Sequence, residues 1–133
     1  MSAIVFELPI KTVSEANQRG IHWAKTKRFA NQRAVVKARL WAHVAEERAA
    51  LEHGYARVAF VVTLTRISPG TLDREDNLPS AFKAIKDSVA ECLGIDDRDP
   101  RVEWRYAQEK RTRSRKTAAL PPYAVRIEIE AAT

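Results

Sequence analysis

Carboxylates from separate segments that converge on one spot can hold a hard cation, and this chain concentrates its carboxylates. Nine of its seventeen acidic residues lie between Thr71 and Glu103, against five of its twenty-three basic ones. They form two knots, Asp73-Arg74-Glu75-Asp76 and Asp96-Asp97-Arg98-Asp99, on either side of a stretch, Leu78 to Leu93, that reads as a helix. The rest of the chain is strongly basic, and the formal net charge is +6. A basic body attracts a polyanion, and an acidic pocket set into it repels that polyanion unless divalent cations stand between them. This is the charge layout of a metal-dependent nuclease. Either knot alone reads more readily as a turn, because Asp hydrogen-bonds its own backbone. A helix that returns one knot beside the other is what would make them a site.

Mg²⁺, or Mn²⁺, takes carboxylate oxygens, and two or three carboxylates can hold one or two ions that activate water and stabilise the leaving oxygen in phosphodiester cleavage. Asp73, Asp76 and Asp97 are the expected ligands, with Asp96 and Glu75 in reserve. Along the helix, Asp76, Ser80, Lys83 and Asp87 follow at spacings of four, three and four, which places them on one polar stripe. Lys83 on that stripe is the expected catalytic cation beside Asp76 and Asp97, neutralising charge that grows on the scissile phosphate. The same spacing also suits a plain surface ion pair between Lys83 and Asp87. The helix start at Asn77 offers free amides to a phosphate, or simply a cap.

Other chemistries find less support. His22, His43 and His53 show no metal-ligand spacing and read as helix-surface or helix-end residues. The four glycines form no phosphate loop, there is no nucleophile elbow, and the single Cys92 sits beside Leu93 as a small core thiol. One cysteine forms no internal disulfide, which favours a cytoplasmic setting. No apolar run reaches membrane-spanning length, and the first lysine, Lys11, comes too late for a secretory signal.

The elements that must position these residues follow from periodicity. Ala3 to Leu8 reads as an opening strand closed by Pro9, and Thr12 to Arg19 as a polar loop. A long helix is predicted from about Ile21 to Glu52, with Phe29, Val36, Leu40, Val44 and Leu51 at helical spacing and Gly54 just past its end. Its first half is basic, with Lys25, Lys27, Arg28 and Arg33 as candidate phosphate contacts. Ala56 to Arg66 reads as a strand apolar on both faces, hence central. Leu78, Phe82, Ile85, Val89 and Leu93 stripe the second helix, which Gly94 ends. Val102 to Gln108 and Tyr123 to Glu130 read as strands. Between them Lys110, Arg111, Arg113, Arg115 and Lys116 form a basic hairpin tip, too polar to pack and suited to DNA. At 133 residues and 15.0 kDa the expectation is one domain of α+β class, a mixed sheet of about four strands with two main helices.

Asp73-Arg-Glu-Asp76-Asn77-Leu78, then Lys83 and Asp87, then Leu93-Gly94-Ile95-Asp96-Asp97 resemble the signature of the RusA family of Holliday junction resolvases, often encoded by phages and prophages. The likeness extends to the order of elements across most of the chain, from the strand ending in Leu-Pro to the final basic segment. The resemblance implies a small Mg²⁺-dependent homodimer that nicks four-way DNA junctions symmetrically, in recombination and repair. It implies that Asp76, Asp97 and a further acid bind metal and that a helix lysine is catalytic. The chain departs from the family pattern at two positions. Arg74 stands where the first acid of Asp-x-Asp-Asn usually stands, leaving Asp73 and Glu75 as the nearest acids. Ser80 stands where the family lysine can fall, three residues after the Asn, and Lys83 comes three residues later. The expectation is therefore a homodimeric, structure-selective endodeoxyribonuclease. The alternatives are a noncatalytic DNA-binding module and a metal-dependent nuclease without junction preference.

Overall fold

In the computed structural model, residues 3–12, 22–54, 58–70, 77–112 and 120–132 are described. Four strands, β1 (Ile4–Leu8), β2 (Phe60–Ser68), β3 (Val102–Lys110) and β4 (Ala124–Ala131), form one mixed sheet in the order β1-β4-β2-β3. β4 pairs antiparallel with β1 and β2, while β2 and β3 run parallel. The strand expected to be central is central, because Val62 and Leu64 on one face and Val61 and Ile67 on the other are all buried.

Alternation sorts the sheet into two faces. Phe60, Val62 and Leu64 of β2, Val125, Ile127 and Ile129 of β4 and Leu8 of β1 point to the face that the helices cover. Its opposite carries Glu7, Glu109 and Arg126, with Arg126 bridging to both acids. The class is α+β, as expected from the alternating strands and the two periodic helical stretches.

Both predicted helices are interrupted. The first runs as α1 (His22–Leu40), a 3₁₀ turn (Trp41–Val44) and α2 (Ala45–His53). Arg48 holds the break: its guanidinium donates to the Trp41 carbonyl at 3.0 Å and the Cys92 carbonyl at 2.8 Å, and it stacks 3.7 Å from the centre of the Trp41 ring. A carbonyl drawn out to a side chain no longer anchors a regular helical turn. The second helix is divided into α3 (Asn77–Ala81) and α4 (Lys83–Leu93). At the division the Phe82 amide bonds three residues back to Pro79, while the fully buried Phe82 ring stacks on Tyr106 at 5.7 Å. Gly54 and Gly94 end α2 and α4 in the left-handed region, as the sequence suggested. At Gly94 a side chain would also meet the Arg48 stem at 3.3 Å.

The segment between β3 and β4 is not a hairpin. The two strands are separated in the sheet by β2, so they are not neighbours. Strand order depends on which faces must be buried, and β2, apolar on both faces, takes the interior place between them.

Candidate nuclease site

α4 packs along α1 on the helix side of the sheet, held by Ile85, Val89 and Leu93 against Val36 and Leu40. Ser88 Oγ donates to the Arg33 carbonyl at 3.2 Å, fixing the register of the two helices. That packing presents one side of α4, with Lys83 and Asp87, toward the turn that follows Gly94.

The turn brings the second acidic knot to this point. Asp96 Oδ1 accepts from the Arg98 amide at 2.8 Å, and Asp99 accepts from both the amide and the guanidinium of Arg101. These bonds, the backbone contact of Arg98 first for Asp96 and the Arg101 side chain first for Asp99, hold both carboxyls below the usual carboxylate range. Arg101 also donates to the Leu51 carbonyl at 2.8 Å, tying the turn to the end of α2. Asp96 and Asp99 therefore build the turn. Asp97 has its carbonyl fixed by the Trp104 indole at 3.0 Å, and its carboxyl lies near both Asp96 and Asp87.

Burial, and then the neighbouring Asp97 carboxylate, push the Asp87 carboxyl up, against the opposing pull of Arg33 and Lys83. Arg33 lies 3.5 Å from Asp87. Neighbouring carboxylates repel one another, and a cation between them relieves the conflict. The pair fits a divalent ion in donor type and in electrostatics. Among the described residues, no group of three or more His, Cys, Asp and Glu side chains is placed to hold a metal. Asp73 and Asp76, expected as ligands, and Glu75, held in reserve, lie outside the described residues.

The borders of their segment are described. Before it, Arg66 is buried, 9% exposed, and donates to Thr12 Oγ1 at 3.1 Å, Ser68 Oγ at 2.6 Å and the Gly70 carbonyl at 2.9 Å. Beyond it, the chain enters α3 at Asn77.

Lys83 is exposed on the first turn of α4, one turn from Asp87. Among the described residues, the ion pair of Asp87 is with Arg33 and not with Lys83, contrary to the plain surface pairing that the spacing also suits. Lys86 lies elsewhere on the helix, over the Trp104 ring at 5.3 Å.

The expected DNA contacts divide. Lys27 is exposed on α1, and Lys25 lies over the Phe29 ring at 5.5 Å, while Arg33 faces the acid pair. Lys110 is exposed at the end of β3. Arg111 departs from expectation: it is 9% exposed, pairs with Glu7 at 2.8 Å and donates to the Pro121 carbonyl, so it braces the sheet end instead of capping a solvated tip. Arg113, Arg115 and Lys116 lie outside the described residues. The sequence reading placed Asp87 on the polar stripe but not among the ligands. Its i+4 spacing from Lys83 was the available signal, whereas its approach to Asp97 depends on the turn after Gly94.

His43 packs its ring against Phe6 at 4.9 Å, and His53 is exposed at the end of α2. Cys92 is fully buried, and burial pushes its thiol up, which suits a core role. Among the described residues no helix is long and apolar enough to cross a membrane. No family model matches the chain, and no curated protein matches it.

Proposed function

We propose that this chain is a metal-dependent, structure-selective endodeoxyribonuclease of the RusA type, cleaving four-way DNA junctions as a homodimer. The observation that carries the reading is the Asp87 and Asp97 carboxyl pair, set beside Lys83 and against a helix whose every charged residue is basic. Asp87 and Asp97 would hold Mg²⁺ or Mn²⁺, with Asp76 and either Asp73 or Glu75 completing the set. The ion supplies Lewis acidity at the phosphate and a water of lowered pKa. Arg33 holds Asp87 in place, Lys83 meets the phosphate charge, and the Lys25 and Lys27 region of α1 binds flanking backbone phosphates. A two-fold dimer supplies one such site per strand to be cut.

The use of Asp96 and Asp99 as turn formers favours a second reading, a DNA-binding module without catalysis. One experiment separates the two. A labelled four-way junction and a matched duplex are incubated with wild type, Asp97→Asn and Asp87→Asn, with and without Mg²⁺. Junction cleavage that requires the metal and is lost in Asp97→Asn while binding persists supports the nuclease. Binding without cleavage by the wild type in Mg²⁺ and in Mn²⁺ leaves the binding module, and equal cleavage of duplex leaves a nuclease without junction preference.

A further inference from the structure

Between the end of β1 and the first turns of α1 lies a groove of about 380 Å³, bordered by Ile10, Trp23, Lys27, Gln32 and Val35. Its volume falls within the range of about 300–1,000 Å³ usual for small-molecule and base-sized sites. Two features set it apart from an ordinary surface furrow. Gln32 is only 5% exposed, and among the described residues its Oε1 has no hydrogen-bond partner. Buried polar atoms are nearly always satisfied, so an orphaned amide oxygen lining a groove calls for a donor from outside the chain. At the mouth, Trp23 is 63% exposed, an unusual place for so large an apolar surface.

The rim is cationic. Lys27 and Arg28 line it from α1, and Lys11 lines it from the end of β1, its ammonium 4.6 Å from the centre of the Tyr123 ring. Among the described residues no acidic side chain borders the groove, and none occurs in α1. The occupant therefore combines a flat apolar face, a hydrogen-bond donor at its inner edge and anionic groups at the rim. A lipid chain would leave Gln32 unpaired, and an apolar peptide would leave the cationic rim unmatched.

We propose that this groove receives one unpaired nucleobase of a DNA strand. The base stacks on Trp23, its Watson–Crick edge donates to Gln32 Oε1, and the flanking phosphates lie against Lys27 and Lys11. Each of the four bases has a donor on that edge, which pairing occupies in a duplex. The groove thus selects bases that are out of the stack without selecting among them. The proposal rests on the DNA-binding reading above and deepens it: the substrate presents an unpaired base to α1 as well as a phosphate to the acid pair.

The test uses fluorescence polarisation in EDTA, where cleavage plays no part. A labelled single-stranded oligonucleotide is compared with an abasic strand of the same length. Wild type is expected to prefer the base-bearing strand by about tenfold or more. Trp23→Ala and Gln32→Leu should each erase most of that preference while leaving affinity for the abasic strand unchanged. Trp41→Ala, at the other end of α1, should keep it. Circular dichroism checks that Gln32→Leu is folded, and the exposed Trp23 gives a second, surface variant. Equal binding of both strands by wild type overturns the base site while leaving DNA binding intact. Binding of neither strand overturns the base site, and a labelled four-way junction in the same buffer then decides the DNA reading separately: junction binding keeps it, and its absence overturns it.

Discussion

Lys83 and Lys86 share a helix and a charge but not a neighbourhood. Lys83 projects beside the acid pair, whereas Lys86 lies over Trp104. Lys83→Ala should lower junction turnover by two to three orders of magnitude, roughly the loss seen when one charge-stabilising donor is removed, with little change in affinity. Lys86→Ala should leave turnover within about twofold, and single-turnover rates at saturating protein compare the two. Glu7 gives a prediction about pH. The hydrogen bond from Arg111 leads in holding its carboxyl below the ordinary value of 4.5. A group lowered on folding stabilises the fold above its unfolded pKa, and that contribution is lost as pH falls through the folded one. Glu7→Gln should therefore cost on the order of 1 kcal/mol at pH 7, less than a fully buried pair because Glu7 is partly exposed. The difference between variant and wild type should vanish in urea titrations run well below pH 4.5. That Glu7 and Arg111 meet was not legible, since the first strand and a residue expected on a hairpin tip are separated by most of the chain.

Single elements were well marked by periodicity and their junctions were not. Alternation along Ala124–Ala131 and the apolar stripe of Leu78, Ile85, Val89 and Leu93 are local patterns, and both appear with the expected faces inward. The break after Leu40 depends on Arg48 reaching Cys92, forty-four residues away, a contact that no window of helical spacing contains. The parallel pairing of β2 with β3 is of the same kind, because it needs α3 and α4 to carry the chain back to the start of the neighbouring strand. Arg48→Met tests the break. It keeps the stem that packs by Gly94 but leaves the carbonyls of Trp41 and Cys92 without their charged donor. The expected cost is about 1–3 kcal/mol, read from the urea midpoint at unchanged slope. A change in slope would signal a different unfolded state or a loss of two-state behaviour.

At the scale of the whole molecule, charge is divided between a basic helix and an acidic turn packed against its partner helix. If α1 carries the DNA, replacing Lys25 and Lys27 with Gln should weaken binding and flatten its salt dependence by roughly one unit of log-log slope per lost phosphate contact. Arg111→Ala should instead lower the melting temperature, since its guanidinium is buried among Glu7, Glu109 and Pro121. Sedimentation at assay concentrations should give a dimer. The site as read from the sequence was legible as two acid knots flanking a helix; which carboxylate of the second knot comes near Asp87 was not, because the turn after Gly94 decides it. Cys92 lies on α4 with Lys83 and Asp87, fully buried, its carbonyl clasped by Arg48. A thiol reagent reaches it only when that helix lifts from the body, so its labelling rate is a clock for opening of the element that would carry the proposed reaction. DNA seated across α1 and α4 should slow the clock, while DNA held elsewhere on the surface should leave it running at the same pace.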